Sequence, residues 1–237
     1  MIQPFEFASG RVLAGKYEVI DRLGGGYEGE VYKVRERGTR IERAAKAFYP
    51  DRNRNGKASS FYARKLHKLR DCPILIQYHT EETILVRRQP VKLLVSEYIE
   101  GELLSQFLEN QPGKRLHPFA AVHLLYALSK GLERIHAAGE YHGDLHTDNI
   151  IVLRHGLSFD VKVIDFYFRE ATRSENRHDD ICDLIRVFYD ALGGRKHYAR
   201  LPDEVKAICR GLRRSLILKR FRTVTRLRKY LETMRWS

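Results

Sequence analysis

Asp144, Asn149 and Asp165 are the residues of this chain whose types and spacing best suit chemistry. Two of them lie in Tyr141-His142-Gly143-Asp144-Leu145-His146-Thr147-Asp148-Asn149, which leads into the apolar runs Ile150–Leu153 and Val161–Ile164 and so to Asp165. Both runs are rich in β-branched residues, as short buried strands are. His155-Gly156 between them suits a hairpin connection. Asn149 then stands at the entry to one strand and Asp165 at the exit of its partner. Both can point into one cleft, with Asp144 on the loop that feeds them. One carboxylate to orient a hydroxyl, with an Asn and an Asp to hold Mg2+ on phosphates, is the set that phosphoryl transfer needs.

His142-Gly143-Asp144-Leu145-x-x-x-Asn149 resembles the catalytic loop of the protein-kinase superfamily, H-R-D-L-x-x-x-N. Gly143 in place of Arg, and His146 after the Leu, are similar to the H-G-D-L-H version of aminoglycoside phosphotransferases and many bacterial kinase-like proteins. Asp165-Phe166-Tyr167 stands where the family has D-F-G. A zinc site on His142 and His146 is the weaker reading of the two histidines, because they sit in a loop motif and not on a helix. His142 reads instead as a packed histidine beneath Phe166.

Elements upstream must position these groups. Lys16 to Leu23 has strand alternation, and Gly24, Gly25, Gly26 and Gly29 follow in a G-x-G-x-x-G pattern completed by Val31. The chain continues as a strand through Val34, where a dinucleotide-binding loop would enter a helix, so the pattern favours the kinase hairpin over phosphates. Glu28 and Glu30 are expected to point to solvent. Twelve residues after Val34 comes Ala44-Ala45-Lys46-Ala47, similar to V-A-I-K; the resemblance makes Lys46 the phosphate-binding lysine and Ala44, with Val31, the roof over adenine. Ser60 to Leu69 reads as a helix with Phe61, Leu66 and Leu69 on its apolar side. In the family that helix supplies the lysine's glutamate partner, near Tyr62 or Ala63 here. No acid lies between Asp51 and Asp71. Lys46 is therefore expected to lean on phosphates, Asp165 or a remote acid, with Glu81 and Glu82 as candidates.

Strands Thr83–Arg88 and Val91–Ser96, joined at Gln89-Pro90, lead to Glu97-Tyr98-Ile99-Glu100-Gly101-Glu102, which resembles the interlobe hinge. The resemblance implies that Glu97 and Ile99 meet adenine through their backbone, that Glu102 reaches the ribose, that Ile151 joins the nucleotide set, and that Ser96 is the gatekeeper. A long helix opens at His117-Pro118 with a core stripe of Leu125, Leu128, Leu132 and Ile135, and Gly139 ends it. Only 15 residues separate Asp165 from Asp180, A-P-E is missing, and Thr172 and Ser174 are the only Ser or Thr between. No activation-loop phosphorylation switch is expected, and Asp165 is expected to be held inward throughout. Asp179-Asp180-Ile181 is similar to the start of the family's buried helix, where Asp180 would bind the catalytic-loop backbone. Val205, Ile208 and Leu212 form one later stripe and Val224, Leu227 and Leu231 another.

The 237 residues, 43% hydrophobic, can form a core. No apolar run reaches transmembrane length, and the first ten residues lack a basic region before an apolar stretch. Three widely spaced cysteines, Cys72, Cys182 and Cys209, form no disulfide or zinc pattern and suit a reducing cytoplasm. Net charge is +13, and from Arg195 onward 14 Lys or Arg face 3 Asp or Glu, so +11 falls in the last fifth. Such a segment suits an acidic partner or an anionic surface; nucleic acid is not the expected partner, because no aromatic interleaving accompanies it.

The fold implied by the resemblance is α+β and two-lobed: a single domain over 1–237, with a small antiparallel-sheet N-lobe with one helix (1–96), a hinge (97–101) and a mostly helical C-lobe (102–237). The function implied is ATP- and Mg2+-dependent phosphoryl transfer to Ser or Thr of a protein, self included. The catalytic set would be Asp144, Lys46, Asn149 and Asp165, with Asn149 and Asp165 on the metal. Two alternatives stand beside it: a small-molecule phosphotransferase, suggested by H-G-D-L-H, and a nucleotide-binding scaffold, suggested by the missing glutamate.

Overall fold

The structure is a computed structural model that describes residues 4–167 and 170–235. The chain divides into two compact units, Met1–Asp71 with Leu75–Ile99, and Cys72–Ile74 with Glu100–Ser237.

The first unit is a six-stranded antiparallel sheet with one helix. Its strands are β1 (Val12–Leu13), β2 (Tyr17–Gly25), β3 (Gly29–Glu36), β4 (Glu42–Phe48), β5 (Tyr78–Val86) and β6 (Gln89–Glu97), in the order β1-β2-β3-β4-β6-β5, and α1 spans Lys57–Lys68 between β4 and β5. Alternation along the strands gives the sheet two different faces. Tyr32, Val34, Ala45, Ala47, Leu93 and Val95 point to the core, where Phe5 and Phe7 of the N-terminal segment cover them. Val31 pairs with Lys46 and Lys33 with Ala44, so Val31, Ala44 and Lys46 share the opposite face.

The hairpin turn, the buried face of α1 and Glu30 differ from the sequence reading in this unit. The β5–β6 turn falls at Arg87-Arg88 and not at Gln89-Pro90, because both arginines take positive φ (+49° and +64°), the geometry that matches strand twist in a tight hairpin. Pro90 lies ahead of the β6 residues that pair with β4, where its missing N–H interrupts nothing in that ladder. On α1 the buried aromatic is Tyr62, and Phe61 is only half-buried.

Glu30, expected to point to solvent, is fully buried. Its carboxylate accepts from the amides of Phe5 and Glu6 (both 3.2 Å), from the Tyr49 hydroxyl (3.1 Å) and from the Tyr32 hydroxyl, and Arg22 lies 3.4 Å away. Burial pushes the Glu30 carboxyl up, but the Tyr32 bond, the Glu6 amide, Tyr49 and the Arg22 charge together hold it below the usual carboxylate range. Burial and the same bond drive the Tyr32 phenol up to about 12. The carboxylate thus ties the N-terminal segment to the start of β3. Glu30→Gln removes the charge and is expected to cost about 1–3 kcal/mol, read by calorimetry as a melting point lower by about 2–4 °C per kcal/mol. An unchanged melting point would mean that the cluster contributes nothing net.

The second unit is mostly helical. It contains β7 (Glu102–Leu103), α2 (Leu104–Glu109), α3 (Pro118–Ala137), β8 (Ile150–His155), β9 (Ser158–Val163), α4 (Arg173–Ala191), α5 (Arg195–Tyr198), α6 (Asp203–Cys209), α7 (Arg214–Arg220) and α8 (Val224–Thr233). Pro118 occupies the first turn of α3 and the His117 ring accepts from the Phe119 amide, which satisfies one free donor of the helix start. The stripe Leu125, Leu128, Leu132 and Ile135 is buried as expected, and Gly139 (φ +77°) ends the helix region. Helix α4 begins six residues before Asp179, at Arg173, because Thr172 and Glu175 form a reciprocal capping box there. Thr172, one of the two Ser or Thr hydroxyls between Asp165 and Asp180, is thereby engaged in a cap. Leu212 departs from its expected stripe: α6 stops at Cys209, Arg210 and Leu212 take positive φ, and Leu212 is half-buried. Val224, Leu227 and Leu231 are buried on α8.

Candidate active site

In the second unit the loop from His142 to Asn149 is held from below by Asp180 of α4. Its fully buried carboxylate accepts from the amides of His142 and Gly143, both at 2.8 Å, and meets His136 Nε2 at 2.9 Å. Burial pushes this carboxyl up, but the bond and charge of His136, the nearby His142 and the Gly143 amide outweigh it and hold it low. Gly143 has φ +89°, and a Cβ there would overlap the Tyr167 carbonyl oxygen. That close approach is a physical reason for glycine where related loops carry arginine. The His142 ring is buried, lies 5.0 Å from the Phe166 ring as expected, and places Nε2 3.0 Å from the Ile164 carbonyl.

Removing the Asp180 carboxylate leaves two amides and a histidine without their acceptor. Asp180→Ala is expected to cost about 3–5 kcal/mol and to expose the His142 and Gly143 amides to hydrogen exchange. A group with a depressed folded pKa contributes stability above its unfolded pKa, about 3.9, and loses it as pH falls through the folded value. The parent's acid-unfolding limb should therefore be steeper than the variant's. Equal limbs and equal amide protection would show that Asp180 does not hold the loop.

Asn149 Nδ2 donates to the Asp144 carbonyl at 2.8 Å and reaches Asp144 Oδ2 at 3.3 Å. The amide nitrogen is thus committed to Asp144, and the carboxamide oxygen, a hard-cation ligand, points away from those bonds. The Ile164 amide donates to the Asn149 carbonyl at 3.0 Å, and the Tyr167 amide to the His142 carbonyl at 3.2 Å. These bonds bracket Asp165, which takes φ +58°. A non-glycine residue in that region carries strain of about 1–3 kcal/mol and persists only where the surroundings impose it, typically at functional sites. His146 lies 3.6 Å from Asp144 Oδ2 and from Asp148 Oδ2. Glu102 pairs with Val152 and Leu103 with Ile151 in the β7–β8 ladder, and Asn110 Nδ2 donates to Glu102 Oε2 at 3.1 Å.

In the first unit Lys46 lies on β4 with only 9% of its surface exposed, and its Nζ meets Glu28 Oε2 at 3.0 Å. Glu28 therefore turns its carboxylate toward Lys46, with 29% of its side chain still exposed, and it is an acid that sequence reasoning missed. Glu81 and Glu82 pair instead with Lys92 and Lys16, both at 2.8 Å. Gly29 is needed for the hairpin itself, because a Cβ there would overlap the Ala47 carbonyl oxygen across the β3–β4 ladder. Gly24 and Gly25 end β2, Gly26 donates to the Gly29 carbonyl at 2.9 Å, and no side chain crowds Gly24 or Gly26. Val31 and Ala44 are half-buried on the Lys46 face, Ser96 is buried, and Glu97 and Ile99 follow at the end of β6. The chemistry of the donors fits the groups expected: hard oxygens of Asn149 and Asp165 for Mg2+, an ammonium and open glycine backbone for phosphates.

An antiparallel sheet with one helix, and a helical unit carrying Asp144, Asn149 and Asp165 on a braced loop and hairpin, define a protein-kinase-like fold. The crystal structure of a double mutant of the Mycobacterium tuberculosis PknI kinase domain has the same fold, with a TM-score of 0.68 over 96% of this chain and 97% of that one at 18% identity. Residues 17–191 match the protein kinase domain family, and the chain belongs to that family. A probable serine/threonine-protein kinase of Streptomyces coelicolor is 30% identical over 161 residues, 66% of this chain and 23% of that protein. The serine/threonine-protein kinase PkaA of the same organism is 28% identical over 168 residues, 66% of this chain and 30% of that protein. The chain spans 23% to 48% of the length of such relatives.

Proposed function

We propose that residues 1–237 act as one kinase domain, with lobes 1–96 and 102–237 joined at 97–101, that transfers phosphate from ATP to Ser or Thr of proteins, itself included. The observation that carries this is the Asn149–Asp144 clamp at 2.8 and 3.3 Å beside a strained Asp165. Among the described residues the side-chain contacts to Asp144, from Asn149 and His146, both fall on Oδ2, so Oδ1 is the atom to accept the proton of the incoming hydroxyl. Asn149 and Asp165 would hold Mg2+, which supplies charge neutralisation on the phosphates. Lys46 and the amides of Gly24, Gly25, Gly26 and Gly29 align the phosphates. Val31, Ala44 and Ile151 enclose adenine, Glu97 and Ile99 bind its edge, and Glu102 reaches the ribose. Incubation with labelled ATP and Mg2+, with and without generic protein acceptors, tests this. Label on protein is the expected result; consumption of ATP only with added small alcohols would replace it with the small-molecule reading, and tight binding without turnover with the scaffold reading.

Three free cysteines support a reducing, cytoplasmic setting. Among the described residues, no helix is long and apolar enough to cross a membrane. The basic C-terminal segment supports binding to an acidic partner or anionic surface. Arg214 is paired with Asp179, and Arg220 lies over the Phe221 and Tyr230 rings, while Arg213, Lys219, Arg226 and Lys229 are exposed. Neutralising those four should abolish binding to polyglutamate or anionic vesicles that weakens as salt rises. If the parent shows no salt-sensitive binding to either, the segment is only a solvated face.

A further inference from the structure

Helix α1 offers Lys46 no carboxylate, because residues 52–70 contain no Asp or Glu. What it offers is Tyr62, whose ring centroid lies 5.0 Å from Lys46 Nζ; the Phe48 ring lies 5.2 Å away. A carboxylate comes from the glycine-rich hairpin. Glu28 sits in its bend, outside the pleat, so it escapes the alternation that sends Glu30 to the opposite face. Its carbonyl accepts from the Tyr49 amide at 2.9 Å, which fixes the bend against the end of β4. The side chain then reaches Lys46 at 3.0 Å on the sheet face shared with Val31 and Ala44.

We propose that Glu28 is the positioning residue for Lys46, the acid being supplied by the phosphate-binding hairpin instead of by helix α1, with the Tyr62 ring against the ammonium where a helix-borne acid would stand. The inference rests on the proposed phosphoryl transfer. Its physical consequence is specific. An α1-borne acid would make the setting of Lys46 depend on the helix; here the lysine lies in the same β-sheet as the hairpin whose bend carries the acid. A carboxylate this close to the phosphate-binding lysine also competes with phosphates for it. Glu28 therefore orients Lys46 for the transition state while opposing ground-state nucleotide binding.

The test compares the parent, Glu28→Gln, Glu28→Gln/Tyr62→Glu and the surface control Glu82→Gln. Glu28→Gln should lower kcat by about tenfold or more, with nucleotide affinity by calorimetry unchanged or tighter. Adding Tyr62→Glu should recover most of the lost kcat. A merely structural Glu28 would lower the melting point and leave that split absent. A readout without turnover uses nucleotide-free protein and limiting acetic anhydride, with acylation at Lys46 measured against exposed Lys57 by peptide mass spectrometry. Loss of the ion pair releases the amine from its 3.0 Å contact, so the Lys46 to Lys57 ratio should rise about threefold in Glu28→Gln and stay constant in Glu82→Gln. An unchanged ratio, an unchanged kcat, or a folded double variant with no recovery overturns the proposal. If the parent transfers no phosphate at all, the function fails separately, and the acylation ratio still decides whether Glu28 governs Lys46.

Discussion

Asp144→Asn is expected to lower phosphoryl transfer by about 10³-fold, within the range of about 10²–10⁴ for loss of a positioned base. Nucleotide affinity should stay within about twofold of the parent's, because the proposed role of Asp144 is toward the acceptor hydroxyl and not toward the nucleotide. The substitution is close to isosteric. The stronger of the two Asn149 bonds, at 2.8 Å, goes to the Asp144 backbone carbonyl and survives. The braces from Asp180 to the His142 and Gly143 amides are untouched. A folded variant with normal binding and transfer lowered by about 10³-fold, measured with labelled ATP and a protein acceptor, is the expected result. Full activity would remove Asp144 from the catalytic set.

Asp165→Ala should act on the other half of the reaction. Deleting the proposed metal ligand is expected to weaken nucleotide binding in Mg2+ by about 100-fold, or about 2.7 kcal/mol, and to leave binding in EDTA unchanged. The substitution also carries a backbone cost. Asp tolerates φ near +58° better than Ala does, so the variant should be less stable by about 1 kcal/mol. Asp165→Asn separates the two effects, since Asn keeps the tolerance for that φ and loses the charge. Metal-dependent affinity that survives in both variants would show that Asp165 holds no Mg2+.

The local part of the site was legible because its information is local. Asp144, Asn149 and Asp165 are tied by a short loop and a tight hairpin, so spacing alone brings them near one another, and the bonds among Asn149, Asp144 and Ile164 bear that out. The helical stripe of α3 was legible for the same reason: period 3.6 needs no partner to be read. Glu28 and Glu30 were not legible. They are the same residue type two positions apart, and both were expected in solvent. Glu30 is drawn inward by amides of Phe5 and Glu6 some 25 residues earlier and by Tyr49 19 residues later. Glu28 is drawn to a lysine 18 residues on.

What the sequence by itself determined is the class of chemistry, the order of strands and helices, and the apolar faces, all consequences of residue type and short-range period. What only the tertiary structure decided is which charges meet and which backbones touch. Glycine at 143 answers to the Tyr167 carbonyl, glycine at 29 to the Ala47 carbonyl, and Tyr62, not Phe61, is the buried aromatic of α1. These follow from strand register and helix rotation, which depend on packing across the whole unit. A buried charge finds its partner only after that packing has placed both.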